Sequence, residues 1–265
     1  MNTAASGPTI TREMLNKVPQ VTVAFWIIKI MATTVGETGA DYLAVHVGLG
    51  PASTGGIMAT LLSAALVAQL RAQAYIPWLY WLTVVLVSVV GTQITDALTD
   101  GLGVSLYVST TVFALALAAT FAAWYASERT LSIHSIMTRR RELFYWAAIL
   151  FTFALGTAAG DLATEALSLG FTIGVLAFSA MIAAIGAAYW LGGNAVLTFW
   201  LAYILTRPLG ASLGDLLSQS RVNGGMGLGT VGTSLVFLSV IVTLVTFLSV
   251  GRNASGHRAV AGGDV

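Results

Sequence analysis

The sequence predicts an all-α fold: a polytopic membrane bundle of eight transmembrane helices, arranged as four parallel two-helix repeats with a pseudo-fourfold disposition. Three observations carry that prediction. The 265 residues are 57% hydrophobic and only 9% charged, with a mean hydropathy of +0.84, which is too apolar for a soluble core. The apolar residues fall into eight long runs. A spaced motif, aromatic–Trp, nine residues, Gly, four residues, Asp, occurs four times, which points to internal duplication.

The runs span about 19–44, 54–72, 76–99, 103–126, 143–166, 170–191, 195–218 and 228–250, each long enough to cross a hydrocarbon core of roughly 30 Å. The odd-numbered runs hold the motif: Phe25-Trp26…Gly36…Asp41, Tyr80-Trp81…Gly91…Asp96, Tyr145-Trp146…Gly156…Asp161 and Phe199-Trp200…Gly210…Asp215. A further pair, Tyr189-Trp190, lacks the Gly and Asp. The even runs are blander. Each unit is therefore a pair of helices, and an even number of crossings per unit makes the repeats parallel. The expected membrane domain is 19–250, with repeats at about 19–72, 76–126, 143–191 and 195–250, an amino-terminal tail at 1–18 and a carboxy-terminal tail at 251–265. The motif helices are expected innermost.

Connections within a unit are Gly-rich: Gly48-Leu49-Gly50-Pro51, Gly101-Leu102-Gly103, Gly170 with Gly174, and Gly224 to Gly229. Connections between units and the tails carry nine basic residues: Arg12, Lys17, Arg71, Arg129, Arg139, Arg140, Arg141, Arg252 and Arg258. The opposite face holds only Arg221. Positive charge marks the cytoplasmic side, so both termini are expected in the cytoplasm of a multi-pass protein of the inner (plasma) membrane. The first apolar run contains Lys29 and Glu37 and reads as a retained helix rather than a cleaved leader.

Trp26, Trp81, Trp146 and Trp200 are expected to form an interfacial belt. Gly36, Gly91, Gly156 and Gly210 are expected at close helix contacts, with Pro208 interrupting its helix beside Arg207. The carboxylates are costlier to place. Fifteen residues from Trp to Asp is roughly 22 Å of helix, which sets the four aspartates at one depth in the outer half of the membrane. Three helices add a second acid four residues away: Glu37 with Asp41, Asp96 with Asp100, and Asp161 with Glu165. Such pairs share a face and call for a cation or a proton. Glu37, Asp41, Asp96, Asp161 and Asp215 are the candidate metal or proton site. The alternative is that the aspartates are structural hydrogen-bond acceptors. Lys29 and Arg207 are embedded bases, candidate counter-ions or substrate ligands.

The absence of cysteine and the scattering of three histidines, His46, His134 and His257, argue against a soft-metal or haem site. Oxygen ligands suit a hard cation such as Mn²⁺, Mg²⁺ or Ca²⁺. A net charge of +1 offers no footprint for nucleic acid. No nucleophile–base constellation indicates an enzyme.

The first unit, Phe25-Trp26-Ile27-Ile28-Lys29 followed by Thr33-Thr34-Val35-Gly36-Glu37-Thr38-Gly39-Ala40-Asp41, with its three echoes, resembles a family of bacterial integral membrane proteins made of four copies of a two-helix repeat, labelled as uncharacterised membrane-anchored proteins. The resemblance covers nearly the whole chain and implies the repeat architecture, without an activity. The later units replace Lys29 and Glu37 by Val84 and Thr92, Ile149 and Thr157, and Tyr203 and Ala211.

Three functions follow. The first is a transporter or channel for a hard cation or protons, a divalent ion being its substrate. The second is a non-transporting scaffold, sensor or partner subunit whose acids are structural. The third is transport of a small anion on Lys29 and Arg207. The expected partners are the lipid bilayer and a small inorganic cation or proton.

Overall fold

The structure is a computed structural model that describes residues 16–42, 50–166 and 169–261. The side chains of Glu37, Asp41, Pro51, Glu165 and residues 251–261 are outside that description, as are those of Ala40 and Ala166. The expected ligands Glu37 and Asp41, and His46 and His257, therefore have no described side chain.

Eight long α-helices are present among the described residues, with no strand. They are α1 (Val23–Asp41), α2 (Gly50–Arg71), α3 (Pro77–Asp96), α4 (Leu106–Glu128), α5 (Arg139–Asp161), α6 (Gly170–Trp190), α7 (Ala195–Ser218) and α8 (Gly229–Ala261). All but α1 are long and apolar enough to cross a membrane; in α1 the apolar run is shorter, Val23–Gly36. The helix α8 continues past residue 250, the expected end of the membrane domain, to Ala261.

Local chemistry starts each helix. Thr22, Ser105 and Thr138 cap α1, α4 and α5 by accepting a backbone N–H three residues on. Asn194 caps α7 through Val196 N and Leu197 N, and Pro77 opens α3 where its missing N–H costs nothing. At the start of α6 and α8, Gly170 and Gly229 turn the chain at φ +73°, a region open to glycine.

The repeats interlock. The motif helices α1, α3, α5 and α7 pack in a cycle, α1 on α3, α3 on α5, α5 on α7 and α7 on α1. Each second helix docks mainly on the motif helix of the following repeat: α2 on α3, α4 on α5, α6 on α7, and α8 back on α1. The chain is thus a closed ring of four inner helices with four outer helices, in which each repeat covers its successor. Inner helices are buried and outer ones are exposed: thirteen residues of α3 are buried, against Gly174 and Phe178 alone in α6.

Two layers of contact close the ring. The first is aromatic. Phe25 meets Trp81 at 5.6 Å, Tyr80 meets Trp146 at 5.6 Å, Tyr145 meets Trp200 at 6.2 Å and Phe199 meets Trp26 at 5.7 Å between ring centroids. Each motif aromatic touches the next repeat's indole. Trp81, Trp146 and Trp200 are buried, and Trp26 is partly buried. The expected interfacial belt is therefore an internal aromatic ring, because the position that opens each motif helix faces its neighbour and not lipid.

The second layer is glycine. A Cβ at Gly36 would lie 2.5 Å from Ser88 Cβ, at Gly91 2.7 Å from Phe153 Cβ, at Gly156 2.5 Å from Arg207 Cβ and at Gly210 2.7 Å from Thr33 Cβ. The four residues met occupy one register, three before the motif glycine of the next repeat. Backbones approach this closely only where a side chain is missing.

The segment before α1 is tied to the aromatic end of the ring. Lys17 Nζ pairs with Glu142 Oε2 at 2.7 Å, both buried, and Lys17 N donates to Ile136 O at 3.1 Å. Arg141 Nε donates to Glu128 Oε2 at 2.8 Å across the link between repeats two and three.

Candidate functional site: a cationic centre inside the ring

Lys29 and Arg207 belong to repeats one and four, yet the cyclic packing of α1 on α7 brings them to the same interior. Both are completely buried. They lie one helical turn apart in register: Lys29 is four residues after its motif aromatic, Arg207 eight after its own.

Lys29 Nζ sits 4.2 Å from the ring centroid of Phe153 on α5 and 4.2 Å from that of Tyr203 on α7. It has no hydrogen-bond partner among the described residues. Two π faces attract an ammonium by about 2 kcal/mol when desolvated, but they accept no conventional N–H bond. An ammonium carries three donors, so the site is polar at its centre and incompletely satisfied by protein.

Arg207 is held differently. Nη1 donates to the backbone oxygen of Thr33 on α1 at 3.0 Å, and Nη2 to Thr157 Oγ1 on α5 at 2.8 Å and to Thr92 Oγ1 on α3. Its carbon also stands 5.8 Å from the Phe153 ring centroid. One guanidinium therefore ties three other motif helices to α7. Pro208, next to it, removes an N–H from the α7 ladder, and Thr34 Oγ1 donates to Gly210 O at 3.0 Å. Thr95 Oγ1 likewise donates to Ala154 O at 3.1 Å, from α3 to α5.

The residues that complete this centre are the ones that replace charge in the other repeats. Tyr203 occupies the register of Lys29, and Thr92 and Thr157 occupy the register of Glu37. Phe153 occupies the register of Arg207 and gives its ring to both cations. A comparison of the four units at these three positions carries the signal for all four residues; reading each unit for acids alone passes over it.

The aspartates are placed at helix ends. Asp96 and Asp161 are the last residues of α3 and α5, and each is followed by a single π-helical turn, Ala97–Gly101 and Leu162–Ala166. Asp215 lies in the last turn of α7. All three are partly buried, and all three have partners. Asp41 ends α1. Among the described residues no three His, Cys, Asp or Glu side chains gather as a metal site. Lys29 and Arg207 come together around the Phe153 ring.

A family model described as Repeat of Unknown Function (DUF347) matches the chain four times, at residues 24–75, 79–130, 144–193 and 198–252. No curated protein matches the chain. No solved structure matches it.

Proposed function

The chain belongs to the DUF347 repeat family, and from that premise we propose that it is an integral membrane transporter of small monovalent anions, with Lys29 and Arg207 as its substrate-binding centre. The single observation that carries the reading is the Lys29 ammonium, fully buried between the Phe153 and Tyr203 rings and without a hydrogen-bond partner among the described residues. A buried charge left with open donors is costly. A small carboxylate or halide entering beside it supplies the missing acceptor, while Arg207 adds attraction and holds the ring together. Ionisable groups kept inside a membrane bundle mark substrate or ion paths. The seven long apolar helices support the bilayer setting, and the nine basic residues on one face support cytoplasmic termini.

Passage requires the ring to open. The helix α7 is suited to move because Pro208 already interrupts its backbone ladder. The test is a flux panel on purified protein in liposomes: chloride, acetate and nitrate against Mn²⁺, Mg²⁺, Ca²⁺ and a pH gradient. Anion flux without divalent flux is the expected result, and divalent or proton flux alone refutes the reading.

One observation favours a second reading, a hard-cation or proton path on Glu37, Asp41, Asp96, Asp161 and Asp215. In two repeats the motif aspartate marks an α-to-π junction, and π turns recur at functional sites. The same panel separates the two readings, and a protein that moves no ion leaves the scaffold role.

A further inference from the structure

The outer helix α4 docks on α5, and between α4 and α7 lies a groove of about 710 Å³ that Leu155 of α5 also lines. Its walls are apolar, among them Leu117 and Phe121 of α4 and Leu197, Trp200 and Ile204 of α7.

One end of the groove is polar. Arg129, Thr130 and Asn194 line it. Arg129 adopts φ +56°, the one positive φ outside glycine among the described residues, a conformation that is uncommon for such a side chain. It is exposed. The neighbouring carboxylate, Glu128, is engaged by Arg141 at 2.8 Å and Arg140 at 3.8 Å, while Arg129 has no ion pair or side-chain hydrogen bond among the described residues. Trp200 Nε1 donates to Leu131 O at 3.0 Å and fixes the link against α7 at this end.

We propose that this groove binds an anionic glycerophospholipid, one acyl chain lying along α4 and α7 and the phosphate on Arg129. The volume lies in the range of small-molecule sites, and basic pockets between membrane helices on the cytoplasmic side select anionic headgroups. The inference requires the chain to sit in a bilayer and is independent of which ion it moves.

The experiment is thermal unfolding of the purified protein in detergent, with added dioleoylphosphatidylglycerol, dioleoylphosphatidylcholine or glycerol 3-phosphate, for wild type, Arg129→Asn and Ala118→Phe. Asparagine tolerates the left-handed conformation, and Ala118 lines the groove. Phosphatidylglycerol should raise the wild-type Tm by roughly 4 °C more than phosphatidylcholine. Arg129→Asn should lose that preference, Ala118→Phe should lose the response to both lipids, and glycerol 3-phosphate should do nothing. Equal stabilisation by the two lipids, a preference that survives Arg129→Asn, or a full effect of glycerol 3-phosphate overturns the proposal. Native mass spectrometry of the wild type and Arg129→Asn reads the same difference as retained phosphatidylglycerol, should Ala118→Phe fold poorly.

Discussion

The motif helices and the outer helices are both long and apolar, yet they solve different problems. The inner helix α3 has half of its apolar window buried, whereas the outer helix α6 has 11%. Inner helices contact each other on two sides and carry the buried cations Lys29 and Arg207 and the ring of motif aromatics. Outer helices cover the ring and show their remaining face to the surroundings. The difference teaches that the motif is an instruction for ring closure. Its aromatic and its glycine each touch the next repeat, while the embedded bases Lys29 and Arg207 stand at positions that vary between repeats.

The largest expected effect comes from removing the cation that joins all four inner helices. Arg207→Met keeps bulk but deletes the donors to Thr33, Thr92 and Thr157. The loss should be about 3 kcal/mol or more, read as a lowered Tm and poor recovery from detergent. An unchanged Tm would mean that the ring does not depend on this residue.

Glycine substitutions sharpen the same contrast. Gly156→Ala places a Cβ 2.5 Å from Arg207 Cβ, and should cost about 1–3 kcal/mol by overpacking. Gly186→Ala on the outer helix α6 meets nothing within 4 Å, and should be neutral or stabilising by up to about 1 kcal/mol. Equal effects in unfolding experiments would erase the distinction between the two helix classes. The smallest effect is expected for Asp96→Asn, at the end of α3 and only partly buried. Anion flux should stay within about twofold of wild type, a change worth less than 1 kcal/mol. A loss of ten times or more moves the functional centre toward the acids.

Much of the architecture was legible in the sequence, because hydropathy and a fixed motif spacing report directly on helix number and repeat order. The interlocking was not. Two helices joined by a short Gly-rich turn read as a hairpin, and only the packing shows α2 on α3 and α8 on α1. The indoles were misplaced for a related reason. A tryptophan near a helix end is compatible with a lipid interface and with an inter-helix contact, and sequence position alone does not distinguish them. Lys29 and Arg207 were legible as costly embedded charges, but not as neighbours, since they are separated by most of the chain and meet only when repeat four closes on repeat one. The common register of the motif aspartates places Asp41, Asp96 and Asp161 as the last residues of their helices and Asp215 in the last turn of its own.

The central claim, that Lys29 is an anion ligand and not a structural cation, is tested most directly by anion uptake into liposomes for wild type and Lys29→Met, reconstituted at matched protein content with Tm measured alongside. Methionine fills a similar volume and removes an ammonium that has no hydrogen bond to lose, so stability should stay within about 1 kcal/mol of wild type. The account predicts that uptake falls at least about tenfold, or 1.4 kcal/mol in the barrier, while the Tm holds. Wild-type uptake in the Lys29→Met protein would contradict it.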